Sequence, residues 1–214
     1  TEVFSVPSGS ARTFSVEALD AGGTAAYRGS STVDLDGTPV ILDITMTPLF
    51  FAGTKQFGTA VYDEANAVAR DGGGNIFIAG TTAGHLEGNT NNGSLDAYIM
   101  KFDSTGAKLW TRLSGSTGAE SAFGAAADGS GGAYIFGITT GGMDGNAMTG
   151  LVDCFVTRYD DSGIRQWTGQ FGAANGICDA SGAATDSSGN LYITGYTDTA
   201  LPGTLALGRY DAFV

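Results

Sequence analysis

DGGGNIFIAG at residues 71–80, DGSGGAYIFG at 128–137 and DSSGNLYITG at 186–195 are one phrase written three times, with starts 57 and then 58 residues apart. In each, an Asp-x-x-Gly turn leads into a run of aromatic and β-branched residues. The Asp side chain accepts backbone N–H groups two residues on, and glycine supplies the positive φ that closes a hairpin. The repeated Asp residues therefore read as turn residues before they read as chemistry. Two further landmarks keep the same period: Asp96 opens DAYIMKFDSTG, Asp153 opens DCFVTRYDDSG and Asp211 opens DAFV, while Trp110 and Trp167 stand 57 apart. Self-similarity at a fixed period is the signature of a repeat architecture.

Each period divides into four strands. The first is built of small residues (Ala65 to Arg70, Ala122 to Ala127, Ala180 to Thr185), and the second follows the turn, as in Asn75 to Thr82. The third starts at the repeated Asp, as in Asp96 to Phe102, and the fourth, Lys108 to Leu113, carries the Trp. Four antiparallel strands in one such period make a β-propeller blade. The side-chain sizes agree, because blades converge on an axis where only Ala and Gly fit and diverge where Trp has a gap to fill. The expected fold class is all-β, a partial propeller, with no helix longer than two turns over residues 59–214. The repeats run over about 59–115, 116–172 and an incomplete 173–214; FFAGTKQFG at 50–58 matches a lone outer fourth strand. That is fewer than the about 4 to 8 blades that close a propeller, so the expectation is a longer chain or a shared ring. The lone strand would then complete the last blade.

The order DSSGNLYITGYT, then DAFV, with Trp followed by QFG, resembles the bacterial SBBP β-propeller repeat. The resemblance covers about residues 56–214. It implies a propeller, often seven-bladed, in exported and cell-surface proteins, and carries over no catalytic residue. Residues 1–49 lack the repeat and alternate as short strands, Val3 to Val6, Arg12 to Ala18, Thr24 to Leu35 and Val40 to Met46. They resemble the end of an immunoglobulin-like or prealbumin-like β-sandwich, with 46–49 as the linker.

Acidic residues outnumber basic ones 22 to 10, for a net charge of −12. Such a field repels phosphate backbones and anionic lipid heads, which argues against nucleic acid and membrane partners. The longest apolar stretch, 48–52, falls far short of the roughly 20 residues of a spanning helix. The chain opens at Thr1 without Met or an apolar targeting segment, so the expectation is that an upstream segment has been removed. Cys154 and Cys178 form no CxxC motif. Cys154 replaces Ala97 and Ala212 of the sister repeats while Cys178 falls in an inter-blade loop, so the two are expected to be unbonded.

A hydrolytic triad needs a placed base, and the one histidine, His85, lies in the loop GHLEGNTNNGS beside Glu87. Asp63, Glu64, Glu120 and Asp179 precede the innermost strands and would line one mouth of the channel. Carboxyl pairs about 5 to 10 Å apart cleave glycosides, so these four carry the alternative reading, a carbohydrate-active or other hydrolytic propeller. DLDG at 34–37 and DGGGN at 71–75 are partial matches to a Ca²⁺ loop, which makes Asp34, Asp36, Asp71 and Asn75 the candidate metal ligands; no other cofactor is indicated. The loops from second to third strand, Ala83 to Leu95, Gly141 to Val152 and Asp198 to Arg209, are long and unlike one another and emerge on the channel-mouth face. Variable loops on a rigid frame are where recognition is placed. The leading expectation is a non-catalytic extracellular scaffold or interaction module that meets a protein or glycan at the cell surface through Asp63, Glu64, Glu120, Asp179, His85 and Glu87. Further blades or subunits would join it in an assembly.

Overall fold

The computed structural model describes residues 9–19, 25–35, 47–48, 54–186 and 188–214. The chain divides into two compact units, residues 1–54 with 104–106, and the remainder. In the first, β1 (Gly9–Leu19) pairs antiparallel with β2 (Ala25–Leu35), which pairs with β3 (Thr47–Pro48). Across the β1–β2 ladder the exposed Thr13 and Thr32 hydroxyls meet at 2.8 Å. The strands expected at Val3 to Val6 and Val40 to Met46 lie outside the described residues.

The second unit is a succession of open antiparallel sheets. β4 (Asp63–Arg70), β5 (Ile76–Thr82), β6 (Asp96–Phe102) and β7 (Lys108–Ser114) form the first, ordered as in sequence. β8 (Glu120–Ala127), β9 (Ala133–Thr139), β10 (Asp153–Tyr159) and β11 (Arg165–Phe171) repeat it. β12 (Cys178–Thr185), β13 (Leu191–Thr197) and β14 (Asp211–Phe213) make a third, three-stranded sheet. The fold is all-β and blade-like, and the sheets do not close into a ring. Among the described residues the one helical turn is the 3₁₀ segment Leu86–Gly88.

Each first strand carries a bulge at the same place, between Ala65 and Ala67, Ala122 and Gly124, and Ala180 and Gly182. A bulge bends and twists its strand, so the irregularity belongs to the repeat. The first strands of neighbouring sheets adjoin, with Asn66 Nδ2 donating to the Ala122 carbonyl at 3.0 Å. Small side chains are what permit that approach. Between the first two sheets Phe77, Ala79, Ile99 and Trp110 pack on Ala133, Ile135, Phe155 and Tyr159. Between the second and third, Tyr134, Phe136 and Val156 meet Ala180, Leu191 and Ile193. Alternate residues of one strand thus face opposite neighbours, as a strand buried on both faces requires.

Two expectations need correction. Residues 54–58 form no strand, and 50–53 lie outside the described residues. With no ladder partner beside it among the described residues, Phe57 packs instead against Tyr98 and Phe102 of the first sheet. The cysteines are also not free: Cys154 and Cys178 form a disulfide, their Cα atoms 5.3 Å apart. Cys178 is the first residue of β12 rather than a loop residue, and a parallel bridge between Val152 and Ile177 brings it beside β10. The start of the third blade is thereby pinned to the third strand of the blade before it, within bridging reach.

Candidate functional site

The long second-to-third loops and the fourth-to-first connections share one edge of the blades, where hydrogen bonds stitch them together. Ser94 N–H donates to the Gly118 carbonyl at 3.1 Å and Glu120 N–H to Leu95 at 2.9 Å. One period later Leu151 N–H donates to Gly176 at 2.8 Å and Cys178 N–H to Val152 at 2.9 Å. The repeated Asp that opens each third strand is the footing of its loop. Asp96 accepts from Asn92 N–H at 3.0 Å, Asp153 from Thr149 and Gly150 at 2.8 Å each, and Asp211 from Leu207 at 2.7 Å. The opposite edge carries only tight turns, where Asp71, Asp103, Asp128, Asp160 and Asp186 accept the backbone N–H four residues on. The repeated Asp-Gly signal is turn chemistry.

The carboxylates expected at a channel mouth, Asp63 and Glu120, are held by their own loops. Asp63 Oδ2 accepts from Thr59 N–H at 2.5 Å and Thr59 Oγ1 at 2.8 Å, and Oδ1 from Thr82 Oγ1 at 2.5 Å. Glu120, fully buried, repeats the arrangement with Ser116 N–H at 2.7 Å, Ser116 Oγ at 2.6 Å and Thr139 Oγ1 at 2.7 Å. Burial pushes the Asp63 carboxyl up, but the bonds from Thr82 and Thr59 outweigh it and leave the group below its ordinary value. Such a clamp fastens a connection to two strands. In the third sheet its position is taken by Cys178, and the disulfide does the fastening.

The other predicted residues are dispersed. Glu64 is exposed and accepts from Tyr62 Oη at 2.5 Å. Asp179 lies opposite Tyr196 in the β12–β13 register, and its charge raises that exposed phenol. His85 is exposed, with Nδ1 accepting from Asn91 N–H at 3.0 Å, and Glu87 is paired with Lys108. An open polar cleft of about 660 Å³, lined by Gln56, Phe57, Thr59, Asp63 and Glu87, brings two of the predicted residues together. Of the Ca²⁺ candidates, Asp71 is bonded through both oxygens to Asn75, Asp34 is exposed on β2, and Asp36 lies outside the described residues. Among the described residues no three His, Cys, Asp or Glu side chains gather as metal ligands.

Sequence reasoning passed over the clamp partners, although a Thr or Ser four residues before the carboxylate and a Thr nineteen after it recur in both complete repeats. It also passed over Gln170, whose Nε2 donates to Asp153 Oδ2 at 2.9 Å. In the first repeat Leu113 stands there and has no such donor. The Oδ1 oxygen differs as well: Asp153 Oδ1 accepts from Gly150 N–H, whereas its counterpart Gly93 N–H donates to Asn91 Oδ1 at 3.1 Å and leaves Asp96 Oδ1 buried without a hydrogen-bond partner. Burial, opposed by Asn92 N–H and helped by the nearby Glu120 charge, raises the Asp96 carboxyl above its ordinary value.

Repeat geometry, bulged inner strands and inter-blade tryptophans agree with a comparison of sequences. Residues 53–87 and 166–201 match the SBBP family, a beta-propeller repeat. Both SBBP matches contain a first strand and a second strand with the turn between them. The chain is also 27% identical, over 158 residues, to "Regulatory protein FlaEY" of Caulobacter vibrioides. That stretch covers 66% of this chain and 16% of the other protein.

Proposed function

We propose that the chain is a non-catalytic, extracellular β-propeller scaffold that binds a protein or glycan through its loop-bearing edge. The observation that carries this reading is the asymmetry of the two edges. One has three dissimilar loops, each footed by an Asp, the first two stitched to the connection that follows them; the other has turns of nearly constant sequence. Rigid footing lowers the ordering cost of binding, and difference among loops supplies specificity. Asp63 and Glu120 are engaged in fastening the blades, so the hydrolytic alternative has no spare acid at those positions. A buried disulfide favours an oxidising compartment and supports the extracellular assignment. The FlaEY relative is named a regulatory protein, a role that binding without catalysis would serve.

Replacing 87–92 and 144–149 together by Gly/Ser segments of equal length, which leaves the buried Leu86 and Met143 in place, tests the assignment. Adherence of the labelled protein to cells that express it should fall at least about tenfold, with the β-sheet circular dichroism unchanged; undiminished adherence overturns the loop-edge assignment.

A further inference from the structure

The three long loops are unlike along most of their length, yet each contains the same short turn. Leu86-Glu87-Gly88-Asn89, Met143-Asp144-Gly145-Asn146 and Leu201-Pro202-Gly203-Thr204 stand 57 and then 58 residues apart. In the two complete repeats the apolar residue is fully buried: Leu86 joins the cluster of Tyr98, Met100 and Phe102, and Met143 the one that holds Phe155 and Tyr159. The Asn folds back on it. Asn89 N–H and Nδ2 both donate to the Leu86 carbonyl at 3.0 Å, and Asn146 N–H and Nδ2 to the Met143 carbonyl at 2.9 Å. The acid of the turn has φ +53° at Glu87 and +51° at Asp144, a region that non-glycine residues seldom occupy.

That conformation is held from the fourth strand. Glu87 pairs with Lys108, and Asp144 with Arg165 at 2.5 Å, the first residues of β7 and β11. Asp144 Oδ2 also accepts from Thr168 Oγ1 at 2.5 Å; that hydroxyl meets Thr157 Oγ1 at 3.0 Å, which meets Ser114 Oγ of the preceding blade at 3.3 Å. Met143 N–H donates to Gln170 Oε1 at 3.0 Å and Asn146 Nδ2 to the Thr168 carbonyl at 3.1 Å. At the opposite edge the gap between these two blades is closed by the next blade's hairpin turn, where Trp110 Nε1 donates to the Asp161 carbonyl at 2.9 Å.

β7 and β11 are the outermost strands of their sheets. Along an antiparallel ladder, alternate residues turn their N–H and C=O away from the partner strand. Asp160 N–H donates across the hairpin to the Ile164 carbonyl, and counting back from it sets Thr157 toward β9 and its register partner Thr168 outward. A row of such outward groups is a template for an added strand. The Thr168 carbonyl is taken by Asn146, and its counterpart in the first blade, the Thr111 carbonyl, by Arg112 Nη1 at 2.7 Å. Two blades cover the same outward carbonyl with different donors.

We propose that Met143–Asn146 is a strap that closes the outer edge of the second blade to strand addition by a second copy of this chain. The excluded occupant is the other copy's β11, since a twofold axis sets two identical edges antiparallel. Leu86–Asn89 seats the first blade's loop in the same way, with Arg112 covering the edge. The strap stands apart from the binding reading, because residues 147–151 lie outside it.

Asn146→Ala frees the Thr168 carbonyl, and D144A/N146A also releases the turn. In sedimentation velocity the self-association constant of N146A should stand about threefold, and that of D144A/N146A about tenfold, above wild type, which shares every other surface. T168P, which removes the outward N–H, should return the double variant to the wild-type level. Association equal to wild type in both variants overturns the proposal, and so does a rise that survives T168P. Should the double variant lose its β-sheet circular dichroism, N146A with and without T168P decides by the same two outcomes.

Discussion

The first-to-second and second-to-third blade junctions are built on the same plan and fastened by different means. At the first, a buried carboxylate, Glu120, ties its connection to β8 and β9, and Trp110 is sealed under the next blade's turn. At the second, a disulfide stands at the carboxylate's position and Trp167 remains half open. The repeat therefore fixes positions rather than residues. A place that must be held can be held by hydrogen bonds to a charge or by a covalent link, provided the same backbone stitch, Leu95–Ala119 or Val152–Ile177, brings the groups together.

The sharpest way to break the comparison is at the tryptophans. Trp110→Ala should cost about 4 kcal/mol in denaturant unfolding, the range of a fully packed aromatic, and Trp167→Ala about 1 kcal/mol. Equal losses would mean that the two junctions are energetically alike despite their different sealing. Next in size are the fasteners. Replacing both Cys154 and Cys178 by Ala should cost about 3 kcal/mol. Glu120→Ala, which strands three donors, should cost about 2 to 3 kcal/mol. Reductant should lower the melting temperature of the wild-type chain and leave the double Cys variant unmoved; a wild-type melting temperature indifferent to reductant contradicts the assignment.

The smallest effect sharpens the comparison of Asp96 with Asp153. The folded-state pKa of Asp96 is raised, so the folded chain holds that proton more tightly than the unfolded one. The group therefore favours folding in acid, and this contribution is lost as pH rises through the ordinary carboxylate range toward the raised value. Leu113→Gln supplies the donor that Gln170 gives Asp153. Relative to wild type, its stability should improve by about 1 kcal/mol on going from acid to neutral pH, over and above a pH-independent loss of apolar packing. A difference between the two proteins that is flat with pH would show that the introduced amide does not reach the Asp96 carboxylate.

The blade was legible in the sequence because period, turn chemistry and strand patterning are local properties that recur in register. Third-strand bounds at Asp96 and Phe102 fell where expected, and the Asp-x-x-Gly turns use their carboxylates as the residue types predict. The disulfide was not legible, because seeing it depends on where one blade begins relative to the third strand of the last, and a parallel bridge of one residue pair leaves no mark in composition. Cys178 was placed in a loop that in fact ends one residue earlier. Asp63 and Glu120, expected just before the inner strands, are the first residues of β4 and β8. Their engagement depends on hydroxyls four residues before and nineteen after, a spacing that has meaning only once the hairpin is folded. The strand expected at 50–58 shows the opposite limit: QFG at 56–58 matches QFG at 170–172, but a strand needs a neighbour to pair with, and sequence likeness does not supply one.

The link between Cys154 and Cys178 closes a covalent loop of 24 residues that contains the whole Trp-bearing strand β11. When the chain is stretched from points on either side of that loop, tension crosses from β10 to β12 through sulfur and bypasses β11. The enclosed backbone contributes nothing to extension, which shortens the reach of the unravelled chain by about 80 Å at about 3.5 Å per residue. For a protein anchored at one side and tugged at the other, β11 would be the last strand to feel the load, and the Trp167 surface would keep its shape while the blades around it gave way.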